Sequence, residues 1–84
     1  LPSSVSDQAT NCFSTIFGVL EEASFRPEHI CRGQYTVADR ALVDELAPVL
    51  SKVFADIRPA ATMVFADLLE PDMLIEIEVT AFKG

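Results

Sequence analysis

Apolar and polar residues recur along this chain with two different periods, and each change of period marks a boundary between structural elements. The shorter period is clearest near the C-terminus, where apolar side chains occupy every second position of residues 74–82. A period of two is typical of a strand with one buried face and one polar face. We therefore predict a strand with apolar positions Ile75, Ile77, Val79 and Ala81 and polar positions Glu76, Glu78 and Thr80.

The longer period, about 3.6 residues, occurs in two segments and predicts two amphipathic helices. The first helix covers residues 5–23, with Ser4 or Ser6 as the candidate N-terminal cap. The second covers residues 42–54 and follows Asp39, which is also a suitable cap. Pro48 lies inside this second segment and removes one backbone hydrogen bond, so we expect a kink near residues 44–47.

Two further strands are predicted over residues 30–37 and 61–66. Pro27 ends the first helix before them, because a proline pushes the preceding residue toward extended backbone. For residues 30–37 the alternation assigns one face to Cys31, Gly33, Tyr35 and Val37 and the other to Ile30, Arg32, Gln34 and Thr36. The second of these faces is the more polar. Arg32 would meet the carboxylates of the last strand if the two polar faces coincide, in a salt bridge worth up to about 1 kcal/mol.

The predicted order of elements is helix, strand, helix, strand, strand. Each helix has one apolar face, and the simplest packing lays both on one side of a mixed sheet, an α+β two-layer sandwich. With 84 residues the chain is expected to form a single small domain. Three strands under two helices leave the other sheet face uncovered, so we expect something outside these elements to cover it.

The acidic charge balance disfavours two classes of binding partner. Six basic and 13 acidic residues give a formal net charge of -7, which opposes binding to nucleic acid and to anionic membrane surfaces. No apolar run approaches the roughly 18 residues that span a bilayer, and the first residues lack the pattern of a signal peptide. We therefore expect a cytoplasmic protein.

Few residues offer metal or thiol chemistry. Cys12 and Cys31 are the only cysteines and His29 is the only histidine, and their spacing matches no zinc site. We expect no metal and no cofactor, with both thiols reduced and at least one packed as a small apolar side chain. The carboxylates of Glu76 and Glu78 leave two interpretations open, a solvated polar face or a cleft that handles protons.

Two motifs resemble the Rid (RidA/YjgF) family of reactive intermediate deaminases, also known as endoribonuclease L-PSP proteins. They are the turn Arg58-Pro59-Ala60-Ala61-Thr62 and the last strand, Ile75-Glu76-Ile77-Glu78-Val79-Thr80-Ala81. The resemblance extends along the whole chain but covers only the C-terminal part of a family member. We therefore expect residues 1–84 to form one RidA-like domain without the family's N-terminal strands.

The resemblance implies a chorismate-mutase-like α+β fold and a homotrimer, with the sheets facing inward and the clefts between subunits. It also implies a reaction, the hydrolysis of enamine or imine intermediates such as 2-aminoacrylate to a 2-keto acid and ammonium. In family members with this activity an arginine pairs bidentately with the substrate carboxylate. A glutamate of the last strand orients or activates the attacking water.

Carried onto this sequence, the resemblance makes Glu76 the catalytic glutamate, whereas Ala61 occupies the position of the arginine. Thr62 takes the hydroxyl position that follows, so Ala61 and Thr62 are the expected substrate-binding residues of the turn. Arg32 or Arg58 is left to replace the guanidinium, and Arg32 is the better placed because Arg58 precedes a proline. The resemblance thus implies a Rid-like deaminase with an altered substrate preference.

The sequence leaves other functions open. A non-catalytic trimer that binds small metabolites fits the loss of the arginine, while Glu76 favours retained chemistry. Ribonuclease activity, which the older family name suggests, is disfavoured because the acidic chain has no basic groove for RNA. Glu76 and Glu78 are also compatible with a purely solvated strand, since a shared fold does not fix a function.

Overall fold

The computed structural model describes residues 3–55 and 59–83. These residues form an α-helix, a strand, a second α-helix and two more strands, in the predicted order. The elements are α1 (Val5–Glu22), β1 (Ile30–Val37), α2 (Val43–Val53), β2 (Ala60–Phe65) and β3 (Ile75–Ala81), with short 3-10 turns at Pro27–His29 and Arg40–Leu42. Neither helix in the described part of the chain is long and apolar enough to cross a membrane.

Helix α1 begins at a cap that its sequence predicts. Ser4 has extended backbone, and its hydroxyl oxygen accepts a hydrogen bond from the Asp7 N–H at 3.1 Å. At the other end, Ser24 adopts a left-handed conformation with a φ of 65°. The Phe25 N–H then bonds back to the Leu20 carbonyl oxygen at 2.8 Å, which closes the helix and turns the chain toward β1.

Helix α2 is entered through a 3-10 turn. The Asp39 carboxylate accepts the Ala41 N–H at 2.9 Å and so caps this 3-10 turn, whereas α2 itself begins after Leu42 without a side-chain cap. The α-helix then continues through Pro48 to its end without a break. Pro48 leaves the Asp44 carbonyl without its helical partner, so the kink near residues 44–47 stays a prediction.

The three strands form one mixed sheet in the order β2-β1-β3, with β1 parallel to β2 and antiparallel to β3. Tyr35 and Val37 lie opposite Ile77 and Ile75 in the β1–β3 register, so these four side chains share a face. That face joins both helices in one buried core of Val5, Ala9, Phe13, Tyr35, Val37, Leu46 and Ile75. The predicted α+β two-layer sandwich is confirmed.

The predicted facing of the first two residues of β1 is wrong. Ile30 lies opposite Ala81 and Arg32 lies opposite Thr80, so Cys31 is an extra residue in a β-bulge. A bulge of this kind resets the alternation of side chains. Ile30 is therefore buried with 3% exposure, while Cys31 is exposed and its thiol donates to the Thr80 carbonyl oxygen at 3.4 Å.

Candidate functional site

The sheet face turned away from the helices, the open face, carries most of the polar side chains that the sequence singled out. Residues opposite one another in the register share a face, so three rows of side chains cross it. The rows are Ala60, Arg32 and Thr80; Thr62, Gln34 and Glu78; and Val64, Thr36 and Glu76. The polar faces of β1 and β3 therefore coincide.

Glu76 lies at the outer edge of the open face. Its strand, β3, pairs only with β1 within the described part of the chain, and the Glu76 side chain is exposed. The charge of Glu76 affects the Cys12 thiol of helix α1. Burial raises the pKa of this thiol, and the Glu76 carboxylate raises it further. The candidate catalytic carboxylate is thus accessible to water, and its charge influences the Cys12 thiol.

A groove of about 340 Å³ runs between α1 and the edge strand β3. Asn11 and Cys12 line it from the helix, and Met73, Ile75 and Ile77 line it from the strand. Because the pKa of the half-buried Cys12 thiol is raised, the thiol stays protonated at neutral pH and is a poor nucleophile. The walls of this groove are therefore mainly apolar.

The two candidate residues of the turn before β2 face opposite sides of the sheet. Thr62 lies opposite Gln34 on the open face, whereas Ala61 lies opposite Gly33 on the helix side. Thr62 and Glu76 stand on the two outer strands, which separates their backbones by about 10 Å across the sheet alone. A small substrate therefore does not reach both residues of one chain.

Arg32 shares the open face but lies at its far end from Glu76. Its row and the row of Glu76 are four residues apart along β3, which corresponds to about 13 Å. The Arg32 guanidinium donates to the side-chain oxygen of Gln34 at 3.3 Å. The salt bridge expected with the strand carboxylates is not formed, since the one ion pair of the described residues lies in the turn before β1. Arg58, the other candidate, is outside the described residues.

The sequence reasoning missed Gln8, a polar residue of α1 that is buried to 4% exposure. Its side-chain oxygen accepts the Leu74 N–H at 2.8 Å, and its side-chain nitrogen donates to the Asp72 carbonyl oxygen at 2.9 Å. These bonds fasten the segment before β3 to α1, and so help to place the strand that carries Glu76. The signal that could have found it is a polar residue inside the apolar stripe of the first helix.

Comparison with known protein families identifies the family of this chain. The sequence profile of the endoribonuclease L-PSP family matches residues 1–83, nearly the whole chain. The chain belongs to the endoribonuclease L-PSP family. The resemblance to Rid/YjgF proteins that the two sequence motifs indicated is thereby confirmed. No curated protein sequence matches this L-PSP chain significantly.

Solved structures of other proteins share the fold of this L-PSP chain. A member of the YjgF family from Mycobacterium tuberculosis superposes with a TM-score of 0.94 at 26% identity, over 99% of this chain and 71% of its own. Yeast Mmf1 gives 0.91 at 25% identity, over 100% of this chain and 67% of its own. A Thermotoga maritima protein superposes with a TM-score of 0.91 at 21% identity, over 100% of this chain and 66% of its own. The L-PSP chain thus spans about two thirds of the length of these proteins.

Proposed function

We propose that this L-PSP chain is a Rid-type deaminase that hydrolyses reactive enamine or imine intermediates to a carbonyl compound and ammonia. The observation that carries the proposal is the position of Glu76, exposed at the edge of the open face on the strand where the family motif has a glutamate. A carboxylate that water reaches freely can accept a hydrogen bond from a water molecule and direct it toward a bound imine carbon.

The proposed reaction needs one water molecule and one base. Water adds to the carbon of the C=N bond while Glu76 takes one of its protons and the π electrons move onto the nitrogen. Glu76 then gives this proton to the nitrogen, which forms the carbinolamine and regenerates the carboxylate. The resulting carbinolamine then loses its hydroxyl proton to the departing nitrogen, the C–N bond breaks, and a C=O bond and ammonia are formed. An enamine enters the same path after protonation of its β-carbon.

The proposed site is completed by a second chain. Thr62 and Glu76 of one chain stand on the two outer strands of the sheet, too far apart for one small substrate. A homotrimer with clefts between its subunits would pair Glu76 of one chain with Thr62 of the next, and it would cover the open face, which no described element covers. Sedimentation velocity tests this assembly, and a monomer at micromolar concentration would reject it.

Ala61 sets the proposed substrate preference. A charge-assisted bond from an arginine to a substrate carboxylate is worth about 1.5–3 kcal/mol, and an alanine on the helix side of the sheet supplies none of it. We expect uncharged and bulkier imines to be turned over in preference to 2-aminoacrylate. If Arg32 replaces the guanidinium, Arg32→Ala raises KM for 2-aminoacrylate and leaves KM for uncharged imines unchanged.

Ammonia release is the deciding experiment. Freshly generated 2-aminoacrylate and uncharged imines are offered to the full-length protein, to Glu76→Gln, and to Glu78→Gln, the matched change two residues along the same face. A positioned general base contributes about 100- to 10,000-fold in rate, so Glu76→Gln is expected to lose turnover and Glu78→Gln to keep it. Equal turnover by all three proteins overturns the role of Glu76.

The alanine at position 61 favours a second candidate function, a non-catalytic trimer that binds small metabolites in the same clefts. With this function none of the three proteins releases ammonia, and equilibrium dialysis finds ligand binding that survives Glu76→Gln. Ribonuclease activity is the least favoured, because the net charge of -7 opposes the phosphate contacts on which RNA binding depends.

A further inference from the structure

A second groove lies in the helix layer and shares no residue with the open face. This interhelical groove runs between α1 and α2 and measures about 550 Å³. Phe13 and Phe17 line it from α1, stacked with ring centroids 5.9 Å apart, and Phe54 meets Phe13 edge-on at 5.5 Å. Val49 and Val53 line it from α2. The surface of the groove is therefore formed mainly by aromatic and aliphatic side chains.

Small side chains keep the interhelical groove open. Thr10 and Ser14 lie one helical turn apart on the side of α1 that borders the groove, where larger apolar side chains would interlock with the neighbouring helix. The Thr10 hydroxyl donates to the Ser6 carbonyl oxygen at 2.8 Å and is satisfied within its own helix. The groove thus presents an apolar surface with few polar groups.

Lys52 also lines this groove, and it makes no hydrogen bond, ion pair or ring contact with any described residue. The other cations among residues 3–55 and 59–83 are all engaged. Arg26 pairs with the Glu28 carboxylate, and Arg32 donates to the side-chain amide of Gln34. Arg40 lies over the Phe65 ring, and Lys83 donates to the Ser24 carbonyl oxygen. In a chain of net charge -7, the Lys52 ammonium has many carboxylates to pair with and contacts none of the described ones. It is therefore available to an anion that enters the groove.

We propose that the interhelical groove binds a monomeric amphiphilic carboxylate of the medium-chain fatty acid class. The acyl chain lies on Phe13 and Phe17, and the carboxylate pairs with Lys52. Apolar sites of about 300–1,000 Å³ with a few polar groups suit small ligands, and a volume of about 550 Å³ falls in that range. A partner helix, about 10–12 Å in diameter with its side chains, requires more room.

The length of the groove agrees with an acyl chain of medium length. From Thr10 to Phe17 the helix advances by about 10 Å at its rise of 1.5 Å per residue. A single cation at the groove then selects a carboxylate over an uncharged or cationic head group. Because the site lies in the helix layer, this inference is independent of the proposed chemistry at Glu76.

Titrations of the full-length protein that follow amide chemical shifts by nuclear magnetic resonance test the proposal. Octanoate, octanol and octylamine are each added below their micelle-forming concentrations. Octanoate is expected to bind most tightly and to shift amides of α1 and α2, and Lys52→Gln is expected to weaken octanoate binding by about three- to fivefold without affecting octanol. Lys83→Gln, which removes the same charge from another part of the chain, is expected to leave both affinities unchanged.

A second variant tests the location. Ser14 is exposed at the edge of the groove, so Ser14→Phe fills the groove with little risk to the fold and is expected to abolish binding of octanoate and octanol alike. Three results overturn the proposal: equal affinities for octanoate and octanol, binding that is unchanged in Ser14→Phe, or binding to anionic lipid vesicles without binding to monomeric octanoate. The circular dichroism of each variant confirms that it is folded.

Discussion

The hydroxyl of Tyr35 lies over the backbone of Gly33, so that a Cβ atom at position 33 would stand 2.9 Å from the Tyr35 oxygen. No glycine among the described residues has a positive φ. Gly33 is therefore needed for space, and the buried Tyr35 ring occupies the room that a larger side chain would take. This close contact lies in the central strand, which joins both halves of the sheet.

Gly33→Ala is expected to destabilise the protein by about 1–3 kcal/mol, because a tightly packed core resists an added methyl group. Gly18 provides the control, since no atom beyond its chain neighbours and the adjoining helix backbone lies within 4 Å of a Cβ built there. Gly18→Ala is expected to stabilise the protein by about 0.5–1 kcal/mol. Urea unfolding measures both. Equal stability of Gly33→Ala and the unchanged protein would show that Tyr35 moves aside freely.

Gln8→Leu is expected to lower the free energy of unfolding by about 2–3 kcal/mol, because it leaves the Leu74 N–H and the Asp72 carbonyl without their partner. Asn11→Leu changes an exposed residue of the same helix and is expected to stay within about 0.5 kcal/mol. Amide hydrogen exchange at Leu74 gives a local readout. Unchanged protection of that amide in Gln8→Leu contradicts the anchoring role of Gln8.

The β-bulge predicts opposite outcomes for two adjacent residues. Ile30→Ala is expected to cost about 2–4 kcal/mol, because it opens a cavity at a side chain of 3% exposure. Cys31→Ala, at an exposed position, is expected to change stability by less than about 0.5 kcal/mol. Chemical denaturation of the two variants measures the difference, and a larger loss in Cys31→Ala would mean that the strand keeps a regular alternation.

Stability is expected to fall in alkaline solution. Burial, with a further contribution from the Glu76 charge, raises the pKa of Cys12 above its ordinary value of 9.0, and burial raises the pKa of Tyr35 above 10.0. The folded state therefore holds both groups protonated where the unfolded chain releases its protons. The contribution to stability is complete below about pH 9 and is lost as the pH rises through the raised values.

Urea midpoints measured between pH 7 and pH 11 check this pH dependence. Cys12→Ala is expected to reduce the slope, because one of the two shifted groups is removed. Glu76→Gln is expected to lower the pKa of Cys12 toward its ordinary value and to quicken alkylation of that thiol, measured in a Cys31→Ser background. An unchanged alkylation rate in Glu76→Gln would mean that the carboxylate does not influence the helix.

Local patterns in the sequence were sufficient to predict the elements of this protein and its fold class. The alternation over residues 75–81 and the helical stripe that begins at Val5 depend only on which side of each element is buried, so they are readable without knowing the neighbours. The motif in the last strand likewise identified the family and singled out Glu76, because a motif is itself a local property.

Pairing between distant segments decided the rest. The bulge at Cys31 depends on the register with β3, and the bonds of Gln8 reach residues more than 60 positions away in the chain. The same is true of the separation between Thr62 and Glu76, which follows from the strand order β2-β1-β3. Apolar and polar periodicity defines faces but not registers or strand order, and so these features were decided only by the tertiary structure.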